Sequence, residues 1–234
     1  MPIGIIIDSS SVAVGGIIGC LIGARLSDRW KSLLNNLLGM AAVIIGILLI
    51  IRTRNMSPVI LSMIIGALIG EALKLEKRVN RLTTNIVGKL TKGSEVDEAY
   101  LIQMSAVIVI FCFSGSGWYG SLYEGMTGDG TILITKAILD GITALIFATL
   151  LGRIVPFLGI PQVCIFLILF LISGLVAPLI TDSMIGDFSA VGGILTFIAG
   201  LRMSRIKTDI PVLNLMPALP LAFVISGLWT ALIG

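Results

Sequence analysis

Lys136 and Asp140 are the residues of this sequence best placed to do chemistry, because both lie inside a long apolar stretch. They are four residues apart, so on a helix they share one face and can form an ion pair. Ionisable groups in an apolar phase cost about 3 kcal/mol or more, and they are therefore rare and usually functional. We predict that Lys136 and Asp140 form a central coupling pair; the alternative is an ion pair that only fixes helix packing.

Two further carboxylates interrupt other apolar stretches. Glu71 follows a glycine-rich run, and we predict that it binds a cation or a proton or that it reaches the aqueous interface. Asp8 is followed by three serines. This polar run predicts either an unwound segment that lines a pathway, or the outer end of a span that begins only at Val12.

Asn214, Pro217 and Pro220 lie close together near the C-terminus of the sequence. Prolines inside a helix free backbone carbonyls, which lipid cannot satisfy, so broken helices usually line cavities. We predict that these three residues line the pathway of a small polar solute or ion. A kink with a purely structural role is the alternative.

The composition indicates what surrounds these residues. Of 234 residues, 56% are hydrophobic and 12% are charged, and the mean hydropathy is +1.08. Soluble domains have about 25% charged residues, and a globule of this size cannot hide so much apolar surface. The fold class is therefore predicted to be an all-α, polytopic integral membrane protein, since an open sheet cannot pair its backbone in lipid.

The absence of histidine excludes several classes of enzyme. A Ser-His-Asp or Cys-His site cannot be built, nor can a histidine-ligated metal centre. Cys20, Cys112 and Cys164 are far apart and form no Cys-x-x-Cys pair, so no redox motif is indicated. We predict no cofactor and no enzymatic activity, and we name no metal site. The less favoured alternative is a membrane-embedded enzyme that uses the carboxylates Asp8, Glu71, Glu124, Asp140 and Asp187.

A membrane-spanning helix needs about 20 predominantly apolar residues, and eight segments qualify. The predicted spans are Ile3–Leu26, Leu33–Ile51, Pro58–Leu75, Tyr100–Tyr123, Thr131–Val155, Leu158–Ile180, Ile185–Met203 and Pro211–Ile233. Residues 3–75 form a first three-span unit, 99–155 two central spans and 156–234 a second three-span unit. Residues 76–98 lie between them as a cytoplasmic amphipathic helix, because Leu75, Val79, Leu82, Ile86 and Leu90 form one apolar stripe. It lies along the headgroups or extends the third span as a stalk.

The basic residues predict the orientation of these spans. The odd-numbered loops contain Arg25, Arg29, Lys31, Lys74, Lys77, Arg78, Arg81, Lys89, Lys92, Arg153, Arg202, Arg205 and Lys207. The even-numbered loops contain only Arg52 and Arg54. By the positive-inside rule the odd-numbered loops are cytoplasmic and both termini are outside. The basic pI of 8.9 thus reflects the membrane topology and does not indicate binding of nucleic acid. The expected partner is the lipid bilayer.

An internal offset of 153 residues predicts an inverted repeat. It aligns Gly39 with Gly192, Pro58 with Pro211, Val59 with Val212 and Met63 with Met216, and it places Arg52 on Arg205 and Arg54 on Lys207. Spans one to three thus correspond to spans six to eight in the opposite orientation. Inverted repeats recur in secondary transporters, with the substrate site between the halves. The alternative is a chance match between apolar, glycine-rich segments.

Gly15, Gly19 and Gly23 repeat every four residues along the first span. Such a ladder allows close packing of helices, either within the chain or between copies of it. It therefore also marks a possible homo-oligomer contact.

Short motifs over nearly the whole chain point to one family. They are Gly15-Gly-Ile-Ile-Gly19, Leu38-Gly39 with Gly46, Ile60-Leu-Ser-Met-Ile-Ile-Gly-Ala-Leu-Ile-Gly-Glu71, Gly120-Ser-Leu-Tyr-Glu-Gly125, Lys136-Ala-Ile-Leu-Asp-Gly141 and Leu215-Met-Pro-Ala-Leu219. In these motifs the sequence resembles the YdfK/YqgA membrane proteins, also called domain of unknown function 554. The resemblance implies a polytopic protein of the bacterial inner membrane and implies no particular activity. It also leads us to expect an asparagine near the start, where this chain has Asp8.

The residues together predict a membrane transport protein, either a secondary transporter or a channel, that moves a small polar solute or ion across the bacterial inner membrane. A non-transporting membrane scaffold is the main alternative. For a scaffold, the basic helix at Lys74–Lys92 should be indispensable, whereas Asp140 should tolerate a change to Asn.

Overall fold

A computed structural model describes residues 1–23, 25–90, 97–176, 180–204, 206 and 209–233 of the chain. These residues form helices and short connections, with no strand among them. The ten α-helices of the described residues are α1 (Ile3–Gly23), α2 (Asp28–Ile50), α3 (Met56–Leu73), α4 (Leu75–Leu90), α5 (Glu98–Cys112), α6 (Gly115–Thr127), α7 (Thr131–Leu151), α8 (Gly159–Val176), α9 (Asp182–Met203) and α10 (Ala218–Ile233). Short 3-10 helices precede α8 and α10, at Gly152–Leu158 and Val212–Leu215.

Seven helical segments of the described chain are long and apolar enough to cross a membrane. One of them, Thr131–Leu175, has 45 residues. At about 1.5 Å per residue this is roughly twice the length of one crossing, and the 3-10 helix at Gly152–Leu158 divides it into α7 and α8. Another, Glu98–Thr127, is a single crossing made of α5 and α6. The all-helical membrane fold is confirmed, and its segments agree with the eight predicted spans.

The two ends of this bundle differ in their residues. At one end, which we call the terminal end, Gly4 packs on Gly130 and Gly186 packs on Arg52. At the other, the basic end, Arg202 donates a hydrogen bond to Glu76 at 2.9 Å. Most of the basic residues used to predict the orientation belong to this end; of these, Lys92, Arg205 and Lys207 lie outside the described residues.

Glycines let neighbouring helices approach closely. Gly15 faces Gly141, and Gly19 and Gly23 also face α7, so α1 and α7 pack along most of their length. The predicted glycine ladder is thus covered within the chain. A homo-oligomer contact through this face would have to displace α7, and it stays a prediction.

The amphipathic helix is present; of its two predicted positions, the one that continues the third span without a break is wrong. Lys74 ends α3 in a left-handed conformation, with φ at 50°, and α4 begins after it as a separate helix. Along α4, Val87 is buried, while Leu82 and Ile86 stay exposed. This is what a helix along the membrane surface requires, since its apolar side must face partly protein and partly lipid. Residues 91–96 of the predicted helix lie outside the described residues.

Candidate functional site

Four polar side chains from three helices meet in the middle of the bundle; we call them the central cluster. Lys136 and Asp140 of α7 form the predicted ion pair. Lys136 Nζ also lies 3.3 Å from Oδ2 of Asp8 on α1. Gln162 on α8 donates its amide N–H to Asp8 Oδ2 at 2.9 Å and to Asp140 Oδ2 at 3.3 Å. Two carboxylates therefore share one ammonium group and one amide.

The central cluster is almost completely removed from solvent. Asp8 and Gln162 are 0% exposed, Asp140 is 3% and Lys136 is 7% exposed. The ring of Phe166 lies beside the lysine, with 5.5 Å from Nζ to the ring centroid. Asp8 Oδ1 and Gln162 Oε1 are buried and have no hydrogen-bond partner among the described residues. Buried polar atoms are normally satisfied, so these two acceptors mark a place where a proton or cation can bind.

A large cavity reaches the central cluster from the terminal end. This terminal-end cavity has a volume of about 1040 Å³, and Lys136 forms part of its wall. A smaller cavity of about 80 Å³ adjoins it and is lined by both Lys136 and Asp140. Lys136 and Ser116 line both spaces. The central ion pair can therefore be reached by water or a solute from one end of the bundle.

A second cavity opens at the basic end. It has a volume of about 550 Å³, and its lining includes Asn35, Glu76 and Arg202. Asn35 lines this cavity, whereas Leu38, one turn further along α2, lines the small one. The lining of the basic-end cavity includes neither Lys136 nor Asp140. The basic-end cavity therefore does not reach the central cluster.

The fourth span is broken beside the central cluster. Helix α5 ends at Cys112, and α6 begins at Gly115 with Ser114 as its N-cap, whose hydroxyl accepts from the Gly117 N–H at 3.2 Å. The N-terminus of α6 lies on the wall of the terminal-end cavity, because Gly115 is one of the lining residues. The small residues from Ser114 onward allow either close packing of helices or a non-helical turn, and the structure has the turn.

Two of the predicted residues, Glu71 and Asn214, form a separate polar group near the basic end. Asn214 donates to Glu71 at 2.6 Å and accepts from the backbone N–H of Glu76 at 2.7 Å. Glu71 is exposed and does not join the central cluster. Pro217 directly precedes α10, and Pro220 lies in its first turn, where a missing N–H leaves no carbonyl free. The expectation that both prolines lie in mid-helix is therefore wrong.

Two other buried carboxylates bind backbone groups. Glu124 accepts hydrogen bonds from the N–H groups of Gly4 and Ile5 at 2.7 and 3.2 Å. Asp187 accepts from the N–H groups of Arg54 and Asn55 at 2.9 and 2.7 Å. Each carboxylate thus lies at the N-terminus of a helix from another part of the chain, where the helix dipole favours negative charge.

The structure brings together Asp8, Lys136 and Asp140 and leaves Glu71 and Asn214 in another group. Helix α1 is continuous through Asp8, so neither the predicted unwinding nor a span beginning at Val12 is correct. Sequence reasoning missed Gln162, although a single amide in the apolar stretch of α8 is a detectable signal. No group of His, Cys, Asp or Glu side chains placed to hold a metal ion occurs in the part of the chain that the structure describes.

The chain is similar over nearly its whole length to one protein family and to two bacterial proteins. The family described as "Protein of unknown function (DUF554)" matches residues 3–227. The chain belongs to this family. It is 42% identical to "Uncharacterized protein YqgA" of Escherichia coli (strain K12) over 99% of both chains. It is 30% identical to "Uncharacterized membrane protein YdfK" of Bacillus subtilis (strain 168) over 92% of both. The resemblance found in the sequence motifs is confirmed.

No solved structure matches the chain. The description of the Bacillus relative as a membrane protein agrees with the hydropathy and helix lengths of this chain. The family descriptions name no substrate, so the function has to be argued from the central cluster and the cavities around it.

Proposed function

We propose that the protein is a membrane transport protein that moves a small polar solute or ion across the bacterial inner membrane. The observation that carries this proposal is the central cluster: two buried carboxylates that share one lysine, at the inner limit of a cavity. Ionisable groups at membrane depth are expensive and usually mark solute or ion pathways. A group that served only to hold helices together would have no need of a cavity leading to it.

The charges of the central cluster support a role in coupling. Asp8, Asp140 and Lys136 together carry a net charge of −1 when all three are ionised. A proton or a cation that binds there neutralises the site, and the partnerless oxygens of Asp8 and Gln162 are available to bind it. Because its partners are all side chains, the cluster can change its hydrogen bonds without unfolding a helix.

The two cavities support alternating access. The terminal-end cavity reaches Lys136 of the central cluster, whereas the basic-end cavity is lined by none of the four residues of the cluster. A transporter that is open to one side and closed to the other has this arrangement. We propose that the described conformation is the one open at the terminal end.

We further propose that the three-span units are inverted repeats. The offset of 153 residues places α1 on α8, α2 on α9 and α3 on the segment that contains α10. The paired glycine contacts between α2 and α9, Gly39 with Gly200 and Gly46 with Gly193, support an antiparallel arrangement across a shared axis. Arg205 and Lys207, which the same offset aligns, lie outside the described residues.

The orientation is also a proposal: the basic end is cytoplasmic, and both termini are outside. Its support is the positive-inside rule. Alkaline phosphatase fused to the C-terminus tests it, since the enzyme folds only outside the cytoplasm. Activity of this fusion, with none from a fusion after Lys89, is expected; the reverse pattern would overturn the orientation.

A reconstitution experiment tests the transport function. The protein is placed in liposomes on a solid-supported membrane, with a pH-sensitive dye inside, and Na⁺, K⁺, amino acids, organic acids and polyamines are applied in turn. We expect current or proton flux with at least one solute, and a rate at least tenfold lower in Asp140→Asn. Asp129→Asn is the matched control, because Asp129 is an exposed carboxylate at the same end.

Two results would contradict the proposal. Equal flux in wild type and in a folded Asp140→Asn variant would remove the central cluster from the mechanism. Absence of flux with every solute, from protein that is folded and correctly inserted, would favour the membrane scaffold instead.

A further inference from the structure

We propose that the terminal-end cavity binds a small oxyanion, such as a carboxylate or a phosphate, at its inner end. This inference rests on the proposed transport function and names the chemical class of its solute. Three observations carry it: the charges that line the cavity, the helix N-terminus on its wall, and a serine hydroxyl of the wall that forms no hydrogen bond to another described residue.

The charged side chains that line the cavity are mainly cationic. Arg52 and Arg54 are exposed near its entrance, and Lys136 lies at its inner end. Among the described residues that line the cavity, Asp182 is the only carboxylate. Neither arginine side chain forms an ion pair among the described residues. Like charges at the entrance of a cavity with low-dielectric walls attract an ion of opposite sign.

The broken fourth span adds backbone donors at the inner end. Helix α6 begins at Gly115, and both Gly115 and Ser116 line the cavity. The first N–H groups of a helix have no partner within it, and the helix dipole is positive there. In transporters, half-helix N-termini at mid-membrane point at anionic groups of the substrate.

Ser189 on α9 is the independent sign of a ligand. Its residue is 4% exposed, it lines the same cavity, and its hydroxyl has no hydrogen-bond partner among the described residues. Its Cα and Cβ pack against Gly115, at the N-terminus of α6. Ser189 lines the cavity and its hydroxyl is not among the fully buried atoms, so an oxyanion bound in the cavity can accept its proton.

Lys136 joins this site to the central cluster. It lines the cavity while it pairs with Asp8 and Asp140. An oxyanion at the inner end of the cavity competes with these carboxylates for one ammonium group. Binding of the solute therefore changes the hydrogen bonds of the central cluster, which is the coupling that a transporter needs.

Isothermal titration of the purified protein tests the anion site. Sodium succinate and sodium phosphate are the anionic probes, and putrescine and glucose are the cationic and neutral ones. We expect that at least one of the two anions binds and that neither putrescine nor glucose does. In Ser189→Ala the affinity falls at least tenfold, as expected for one hydrogen bond to a charged group. Arg52→Gln weakens it about threefold at low salt and less at high salt.

Matched controls separate the site from general effects. Ser105→Ala removes a buried hydroxyl from α5, which bonds to the Leu101 carbonyl at 2.8 Å, and Arg153→Gln removes an exposed arginine of the opposite end. Both should bind anions as wild type does. Unchanged affinity in Ser189→Ala, or binding of putrescine in preference to the anions, would overturn the inference.

The outcomes also separate this inference from the transport function. Anion binding that depends on Ser189, without flux of that anion in liposomes, supports the site and contradicts transport. Flux of a cation or neutral solute without anion binding contradicts the anion site and leaves transport supported.

Discussion

The central cluster and the carboxylates at helix N-termini are two kinds of buried acid in one protein. Asp187 accepts hydrogen bonds from two backbone N–H groups and from the hydroxyl of Ser226, at 2.6 Å for the latter. Within the described part of the chain, the carboxylates of Asp8 and Asp140 bind only the side chains of Lys136 and Gln162. Both kinds are buried to a similar degree. What differs is whether the partner is fixed in the backbone or is free to change rotamer.

This difference separates structural from adjustable charge. Backbone donors at a helix N-terminus cannot turn away, so Asp187 and Glu124 keep these partners and fix where two helices begin. A lysine and an amide can exchange partners, and neutralising one charge can compensate for losing another. The predictions below test this distinction, from the largest expected effect on stability to the smallest.

Lys136→Met should have the largest effect. It leaves two carboxylates buried without a cation, and breaking a buried ion pair by removing one partner costs about 3–5 kcal/mol. Adding Asp140→Asn should recover more than half of the lost free energy of unfolding, because it removes one of the two uncompensated charges. Thermal unfolding in detergent measures both variants. A double variant no more stable than the single one would contradict the idea that this charge is adjustable.

Asp187→Ala should cost about 2 kcal/mol, because it removes the acceptor of the buried Ser226 hydroxyl and of the partly buried N–H groups of Arg54 and Asn55. A second substitution at a partner side chain should not recover this loss, because backbone N–H groups cannot be removed. The double variant Asp187→Ala with Ser226→Ala should therefore be no more stable than Asp187→Ala alone. Thermal unfolding again measures it. Recovery in this double variant would erase the contrast with the central cluster.

Asp140→Asn should change the free energy of unfolding by less than about 1 kcal/mol, because Lys136 keeps Asp8 as its counter-ion and the amide oxygen can still accept a hydrogen bond. Transport, however, should fall at least tenfold. Paired measurements of thermal unfolding and of flux in liposomes show whether stability and activity separate. A variant that loses both in proportion would place Asp140 with the structural carboxylates.

Asp129→Asn should have the smallest effect. Asp129 is exposed, and the hydroxyl and N–H of Thr131 donate to it at 2.6 and 2.9 Å. These hydrogen bonds, the hydroxyl first, lower the pKa of Asp129 below its ordinary value of 3.8. Because the pKa is lower in the folded state, the ionised Asp129 stabilises the folded state at pH values above 3.8. This stabilisation is lost as the pH falls through the folded-state pKa. The small difference between wild type and variant should therefore vanish in acid; a difference that persists there would refute this origin.

Much of the fold could be predicted from the sequence, because the membrane imposes strong rules on it. Long apolar runs have to be helices, and the four-residue spacing of Lys136 and Asp140 places them on one face. The partnership of Asp8 with Lys136 could not be predicted, since it depends on how α1 packs on α7. Gln162 was missed because a single amide in an apolar run gives no sign of which helix it faces.

The capping carboxylates were missed for a different reason. Asp187 and Glu124 bind backbone N–H groups, which every residue has and which no sequence pattern distinguishes. The break at Ser114 could not be assigned from the sequence, because small residues suit either close packing of helices or a turn. Pro217 and Pro220 were misplaced because a proline pattern predicts a break without saying on which side of it the helix lies.

The separation of the basic-end cavity from the central cluster has a consequence for the membrane voltage. Water in a wide cavity conducts ions, so little of the voltage drops across the cavity itself. Most of it then falls across the packed segment between the central cluster and the basic-end cavity. A full charge that crosses this segment exchanges about 2.3 kcal/mol with a potential of 100 mV. The membrane potential thus acts mainly at the step where a charge leaves the central cluster for the basic end.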